Sequence, residues 1–191
     1  MKKILFATAA SAAFFAATPA LAQGAPVAPA GPRVEALIGY DRVKLGGEHD
    51  GGVLFGIGAG YDFAVGNGVS LGADIEATES TQKIGDEDIA EVKAGRDLYA
   101  GGRIGYAVGR NVLLYGKAGY TNARLSLDYD DGTAATALDF SNGENLDGVR
   151  VGGGLEFALG PNSYAKTEYR YSNYEQGFDR HQVVAGFGFR F

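Results

Sequence analysis

The chain has 191 residues, 17 Lys+Arg against 23 Asp+Glu, a formal net charge of −6, 31 glycines and no cysteine. The acidity argues against a nucleic-acid binder, because phosphates call for a basic surface. The absence of cysteine excludes disulfides, thiolate metal sites and a lipid-modified N-terminal Cys.

Met1-Lys2-Lys3 is a short basic start, followed by the apolar run Ile4 to Ala17 and by Ala20-Leu21-Ala22, a small-x-small cleavage pattern. Residues 1–22 therefore read as a secretory signal peptide, not as a membrane helix. Cleavage after Ala22 leaves 169 residues (191 less 22), one domain in length, with a mature charge of −8 once Lys2 and Lys3 are gone. Residues 23–32 form a Pro/Ala/Gly tether without a core of its own. No later run approaches the ~20 apolar residues of a membrane helix, and alternating barrel strands would give the same low hydropathy.

From Val34 onward the chain alternates. The first expected strand, Val34 to about Val43, sets Val34, Ala36, Ile38 and Tyr40 against Glu35, Leu37, Gly39 and Asp41. After a polar loop at Gly46 to Gly52, Val53 to Phe63 sets Phe55, Ile57 and Tyr61 against Gly56, Gly58, Gly60 and Asp62. Gly66-Asn67-Gly68 is a tight turn, since Asn-Gly takes the positive φ that hairpins need. Val69 to Ala77 opposes Ile75 to Asp74 and Glu76, and an acidic loop with Asp86, Glu87, Asp88 and Glu91 follows. Asp97 to Tyr106, a turn at Gly109-Arg110-Asn111, and Val112 to about Ala123 come next. The longest loop, about Arg124 to Leu146, is rich in Asp. Gly148 to Leu159, a Gly160-Pro161-Asn162-Ser163 turn, Tyr164 to about Tyr174, a short loop at Glu175 to Asp179 and a final strand complete eight strands. The final strand alternates Val183, Ala185, Phe187, Phe189 and Phe191 with Val184, Gly186, Gly188 and Arg190.

The apolar face contains no charged residue on any strand. The other carries fourteen: Glu35, Asp41, Asp62, Asp74, Glu76, Asp97, Arg103, Lys117, Arg150, Glu156, Lys166, Glu168, Arg170 and Arg190. Unpaired charges do not sit in a dry core, so this face reads as a polar lumen with compensating charges, and the apolar face as lipid-facing. Glycine between long side chains lets them fit inside a barrel of eight strands. Gly56-Ile57-Gly58-Ala59-Gly60 lacks the strand-to-helix context of a dinucleotide site. Tyr40, Tyr61, Tyr106, Tyr120, Tyr169 and Tyr171 fall toward strand ends on the apolar face, where aromatic girdles sit. The short turns follow strands two, four and six, which puts them at one end with the longer loops at the other.

The chain resembles the eight-stranded outer-membrane β-barrels related to the membrane domain of outer-membrane protein A and to porin/opacity-type surface proteins. Val34-Glu35-Ala36, Gly58-Ala59-Gly60-Tyr61-Asp62, Gly102-Arg103-Ile104-Gly105-Tyr106, Tyr115-Gly116-Lys117-Ala118-Gly119-Tyr120, Glu168-Tyr169-Arg170-Tyr171 and the terminal Gly188-Phe189-Arg190-Phe191 carry the resemblance, over residues 33–191. It implies an all-β, antiparallel up-and-down transmembrane barrel in the cell outer membrane, in contact with lipid and lipopolysaccharide and monomeric. It implies biogenesis through periplasmic chaperones and the barrel-assembly machinery, with Phe187, Phe189 and Phe191 as the insertion signal. It also implies lumenal Arg/Lys–Glu pairs that block or gate a narrow channel, at Arg103, Lys117 and Glu168. The chain has no C-terminal peptidoglycan-binding domain like that of outer-membrane protein A, so cell-wall tethering is not implied.

Nine residues are expected to form a lumenal ion-pair network: Asp74, Glu76, Arg103, Lys117, Arg150, Glu156, Lys166, Glu168 and Arg170. The leading functional expectation is a non-enzymatic envelope protein with a largely plugged lumen and at most a narrow ion pore. The alternative is an adhesin or ligand binder acting through the acidic loops. No cofactor, metal site or catalytic residue is expected. Asp128-Tyr129-Asp130-Asp131-Gly132 misses the calcium-loop spacing. His49 and His181 are the only histidines, expected near loop ends, and no Ser is paired with His181 beside Glu175 or Asp179.

Overall fold

A computed structural model describes residues 28–45, 48–81, 83–84, 91–128, 142–175 and 178–191. Eight long strands run through them: β1 Gly31–Leu45, β2 Glu48–Gly66, β3 Val69–Ser80, β4 Glu91–Val108, β5 Val112–Asp128, β6 Asn142–Ala158, β7 Ser163–Tyr174 and β8 Phe178–Arg190. Each pairs antiparallel with the next, and β1 also pairs β8 from Arg33↔Arg190 to Lys44↔Asp179. The sheet is closed, so it has no free edge to template aggregation. A two-residue strand, Lys83–Ile84, lies against Val92 and Lys93 of β4.

One row of cross-strand partners gives the stagger. It runs from Asp41 through Gln182, Arg170, Gly152, Lys117, Arg103, Gly72 and Asp62, and returns to β1 at Gly31. The return falls ten residues from the start (41 less 31), a shear of ten for eight strands. Strand number and shear together fix a tilted, narrow barrel that side chains alone can fill.

Residues alternate across its wall as expected. Ile57, Ile75 and Val149 are more than 60% exposed, whereas Leu54, Asp97, Arg150 and Arg170 are at most 1% exposed. A continuous exposed apolar surface of this kind belongs in lipid. Glycine is required where interior strands crowd: a Cβ on Gly119 would stand 2.3 Å from the Ala100 carbonyl oxygen and 2.4 Å from the Gly101 Cα.

The three short turns share one end of the barrel with both strand termini, here called the lower end. Asn67 and Gly68 take φ of 51° and 77°, and Gly109 takes 71°, the left-handed conformations such turns need. At the other, upper end the strands run further than the alternation suggested. Glu48 to Gly52 is not loop but ladder, paired with β1 as far as Leu45↔Glu48. β4 begins at Glu91, and β5 and β6 pair out to Leu127↔Asn142. β1 starts at Gly31, so Gly31 and Pro32 belong to the barrel and not to the tether. The expected signal peptide, residues 23–27 of the tether, Asp86 to Asp88 and residues 129–141 lie outside the described residues.

Candidate functional site

Among the described residues, sixteen charged side chains point into the lumen. Eight are acidic (Glu35, Asp41, Asp62, Asp74, Glu76, Asp97, Glu156, Glu168) and eight basic (Arg33, Arg103, Lys117, Arg150, Lys166, Arg170, Arg180, Arg190). All are buried except Arg190, which is part-buried near the lower mouth. Alternation puts them there: each occupies the inward parity of its strand.

Twelve of them form one connected web. Near the lower mouth Arg190 bridges Asp62 at 3.2 Å and Glu156 at 2.7 Å, and Glu156 also holds Arg103. Asp62 takes Arg33 at 3.1 Å; Arg33 also holds Asp74 and reaches Glu35 at 3.4 Å. Lys166 stands 2.5 Å from Glu35, 3.4 Å from Glu168 and 3.8 Å from Glu76. Lys117 lies 2.7 Å from Glu76 and 2.8 Å from Glu168, and Arg170 lies 3.0 Å from Glu76 and also holds Glu168. Phenols complete the carboxylates: Tyr115 donates to Glu168 at 2.6 Å and Tyr164 to Glu35 at 2.9 Å. Arg103 stacks over the Tyr115 ring at 4.0 Å and Lys117 over Tyr99 at 4.7 Å.

The other four make a separate cluster toward the upper end. Asp97 accepts from Arg150, from Arg180 at 2.9 Å, from Thr121 at 2.8 Å and from Tyr174 at 3.2 Å. Arg180 donates onward to Asp41 at 2.6 Å, and Arg150 to Ser172 at 2.8 Å. Between this cluster and the web, one wall carries an apolar patch of Leu37, Leu54 and Val184 around Gly39, whose cross-strand partners are Leu54 and Val184.

Each cluster balances, six against six and two against two, so the barrel interior carries no net charge. Charges this deep are tolerable only when each is paired and hydrogen-bonded. The nine residues named from the sequence are all inside, but not in one network: Arg150 belongs to the upper cluster and the other eight to the web. Arg33 and Arg180 lie just outside the stretches whose alternation is recognisable in the sequence, which begin at Val34 and at Val183. Extending either alternation outward puts both on the inward face, and with them the six cations become eight.

Phe187, Phe189 and Phe191 face outward at 45%, 47% and 74% exposure, the first two edge-to-face at 5.1 Å. The Phe191 N–H donates to the Pro32 carbonyl at 3.0 Å, tying the last residue to β1. His49 and His181 lie in strands close to the upper connections, His49 as the second residue of β2 and His181 as the fourth of β8. His181 Nδ1 is 2.7 Å from the Tyr169 hydroxyl, and Asp179 Oδ1 accepts from Tyr171 and Asn173, both at 2.8 Å. Asp128 is the last residue of β5, and the rest of the Asp-rich run lies outside the described residues.

On the lipid-facing wall, Tyr61, Phe63, Tyr106 and Phe189 encircle the lower end and Tyr40, Tyr120 and Tyr169 the upper, all 45–59% exposed. Two aromatic belts bounding an apolar band around a closed antiparallel sheet are the signature of a transmembrane barrel. The family model "Outer membrane protein beta-barrel domain" matches residues 6–191. The chain belongs to that family.

This outer-membrane barrel is 30% identical over 143 residues to the 31 kDa outer-membrane immunogenic proteins of Brucella melitensis and Brucella suis, a match covering 70% of the chain. The match covers 60% of the length of those relatives. Among solved structures, the attachment invasion locus protein of Yersinia pestis superposes with a TM-score of 0.60 at 18% identity, over 85% of this chain and 100% of that one. Neisserial surface protein A gives 0.64 at 17% identity, over 84% and 97%. These are eight-stranded outer-membrane barrels, and the location of the chain is the cell outer membrane. The short-turn end that holds the termini is accordingly periplasmic and the upper end extracellular.

Proposed function

We propose that the protein is a non-enzymatic structural barrel of the outer membrane whose lumen is held shut by its own ion pairs, and that it contributes to envelope integrity. The observation that carries this is the charge balance inside: eight acidic and eight basic side chains, fifteen of them at most 6% exposed. An ion-conducting pore needs a hydrated path or uncompensated charge along its wall, and the mutual pairing of the lumenal side chains argues against both. Absence of catalysis is supported by His181, which is tied to Tyr169 on the outer wall and not to a nucleophile. Planar-bilayer recording of the purified barrel tests the reading: steady currents at the wild-type sequence would overturn it, and silence that gives way to current in a lumenal variant would uphold it.

A second reading, a surface adhesin, is favoured by one observation. Outside the lumen, nine acidic residues among the described ones lie in or next to the extracellular halves of the strands, and the other six fall in the sequence between those strand ends. The relatives' name, outer-membrane immunogenic protein, supports an exposed outer end. Loss of cell adhesion on shortening residues 129–141, with folding intact, is the result this reading requires.

A further inference from the structure

The outer wall at the extracellular end carries a basic row that the lumen does not use. Arg42 of β1 is the cross-strand partner of His181 on β8, which is the partner of Tyr171 on β7. The three therefore lie side by side on the lipid-facing surface, Arg42 and His181 exposed and Tyr171 half-buried. The other cross-strand neighbour of Arg42 is Gly51, which offers no side chain. Among the described residues Arg42 has no ion-pair partner, whereas Arg96, at a similar level on β4, faces Glu79 across the ladder.

His181 is oriented. Tyr169 Oη and His181 Nδ1 are 2.7 Å apart, which fixes the ring's orientation; in the tautomer in which the phenol donates, the ring proton sits on Nε2, a hydrogen-bond donor even in the neutral ring. The Tyr171 ring lies 5.1 Å away, tilted by 44°, and supports the imidazole from the side. Asp179, the next outward residue above His181, has its Oδ1 occupied by Tyr171 and Asn173. Arg42 and His181 stand one outward step above Tyr40 and Val183, so the row lies just beyond the upper aromatic belt, at headgroup level in the outer leaflet.

A guanidinium fork beside an aimed N–H, at that depth, matches the oxygens of a phosphate. The flat rings of Tyr169 and Tyr171 alongside offer a surface for a sugar. Anions at random are repelled by the acidic connections above, so binding here depends on this geometry. We propose that Arg42 and His181, flanked by Tyr169 and Tyr171, clasp a phosphate on the sugar headgroup of an outer-leaflet glycolipid. The clasp is independent of whether the lumen is shut.

Native mass spectrometry of the folded barrel in nonionic detergent tests it, with three probes: a bisphosphorylated glucosamine-disaccharide lipid, the same lipid dephosphorylated, and phosphatidylglycerol. The bisphosphorylated lipid is expected to bind, and to bind roughly tenfold or more weakly after Arg42→Ala or His181→Ala, the scale of a charge-assisted hydrogen bond. Arg96→Ala should leave it unchanged. Tyr169→Phe should weaken it while leaving heat-modifiable folding intact, because only the aim of His181 is lost. Equal loss with Arg96→Ala would reduce the effect to bulk charge and overturn the clasp. Equal binding of phosphatidylglycerol would overturn the glycolipid assignment, and undiminished binding of the dephosphorylated lipid would overturn the role of phosphate. Should either alanine variant fail to fold, Arg42→Gln and His181→Gln take its place.

Discussion

Arg103 on β4 and Lys117 on β5 are direct cross-strand partners, yet they do not share a carboxylate. Arg103 turns to Glu156, and Lys117 to Glu76 and Glu168 at 2.7 and 2.8 Å. Two like charges tolerate adjacency because each has its own counter-charge. Glu168 is the more exposed to loss, since Lys117, Lys166, Arg170 and the Tyr115 hydroxyl all converge on it. Glu168→Ala is expected to lower stability by about 3–5 kcal/mol, the cost of stranding buried charge, and to raise ion leakage. Glu168→Gln, which keeps a hydrogen-bond acceptor, should cost less. Urea midpoints and bilayer currents unchanged in Glu168→Ala would refute the plug.

Asp97 and Asp147 separate a buried carboxylate from an exposed one. Asp97 is 1% exposed and holds two arginines, whereas Asp147 accepts from Tyr120 and Asn122 on the outer wall. Asp97→Ala should cost about 3–5 kcal/mol and Asp147→Ala far less, because water screens an exposed carboxylate. Comparable urea midpoints for the two would show that the upper cluster contributes nothing to stability.

Gly119 and Gly102 face opposite ways. A Cβ on Gly119 collides with the backbone of Ala100 and Gly101, while one on Gly102 has nothing nearer than 4.0 Å. Gly119→Ala should destabilise by about 1–3 kcal/mol through overpacking, and Gly102→Ala should be neutral or mildly stabilising. Circular-dichroism melts in detergent micelles rank them; a reversed order contradicts the assignment of inner and outer faces.

Deleting Phe191 should reduce the yield of heat-modifiable barrel more than Ile84→Ala does. The deletion removes an outward aromatic and the N–H bond to Pro32 that fastens β8 to β1, whereas Ile84 lies in a two-residue strand beside Val92. Equal yields would remove the terminal residue from the assembly signal.

The sequence was legible wherever the two faces of a strand meet different solvents. Val34 to Tyr40 alternates because lipid lies on one side and the lumen on the other, and register and face follow from that contrast. Glu48 to Gly52 reads as loop because Glu-His-Asp-Gly-Gly contains no apolar residue to alternate, while the backbone ladder runs on to Leu45↔Glu48. The same lack of apolar neighbours hid Arg33 and Arg180, at the outer limits of recognisable alternation. The division of the lumen into two clusters was not legible at all. It depends on how far each arginine reaches across the barrel, as when Arg150 on β6 meets Asp97 on β4, and no spacing along one strand encodes that.

Because the sixteen lumenal charges cancel, the net charge of the chain is displayed elsewhere, and all on one side. Of the fifteen remaining carboxylates, the nine among the described residues lie at the extracellular ends of the strands; beyond the lumen and the first three residues, Arg110 is the one charged residue on the periplasmic turns among 109–111 and 159–162. The molecule is electrically lopsided: neutral through the bilayer, nearly uncharged beneath it and strongly anionic above. Those carboxylates must cross the hydrocarbon once, during assembly, and a return crossing would mean desolvating them again. The acidic end is thus a one-way latch on orientation, and each copy in the membrane adds its negative charge to the cell's electrophoretic mobility.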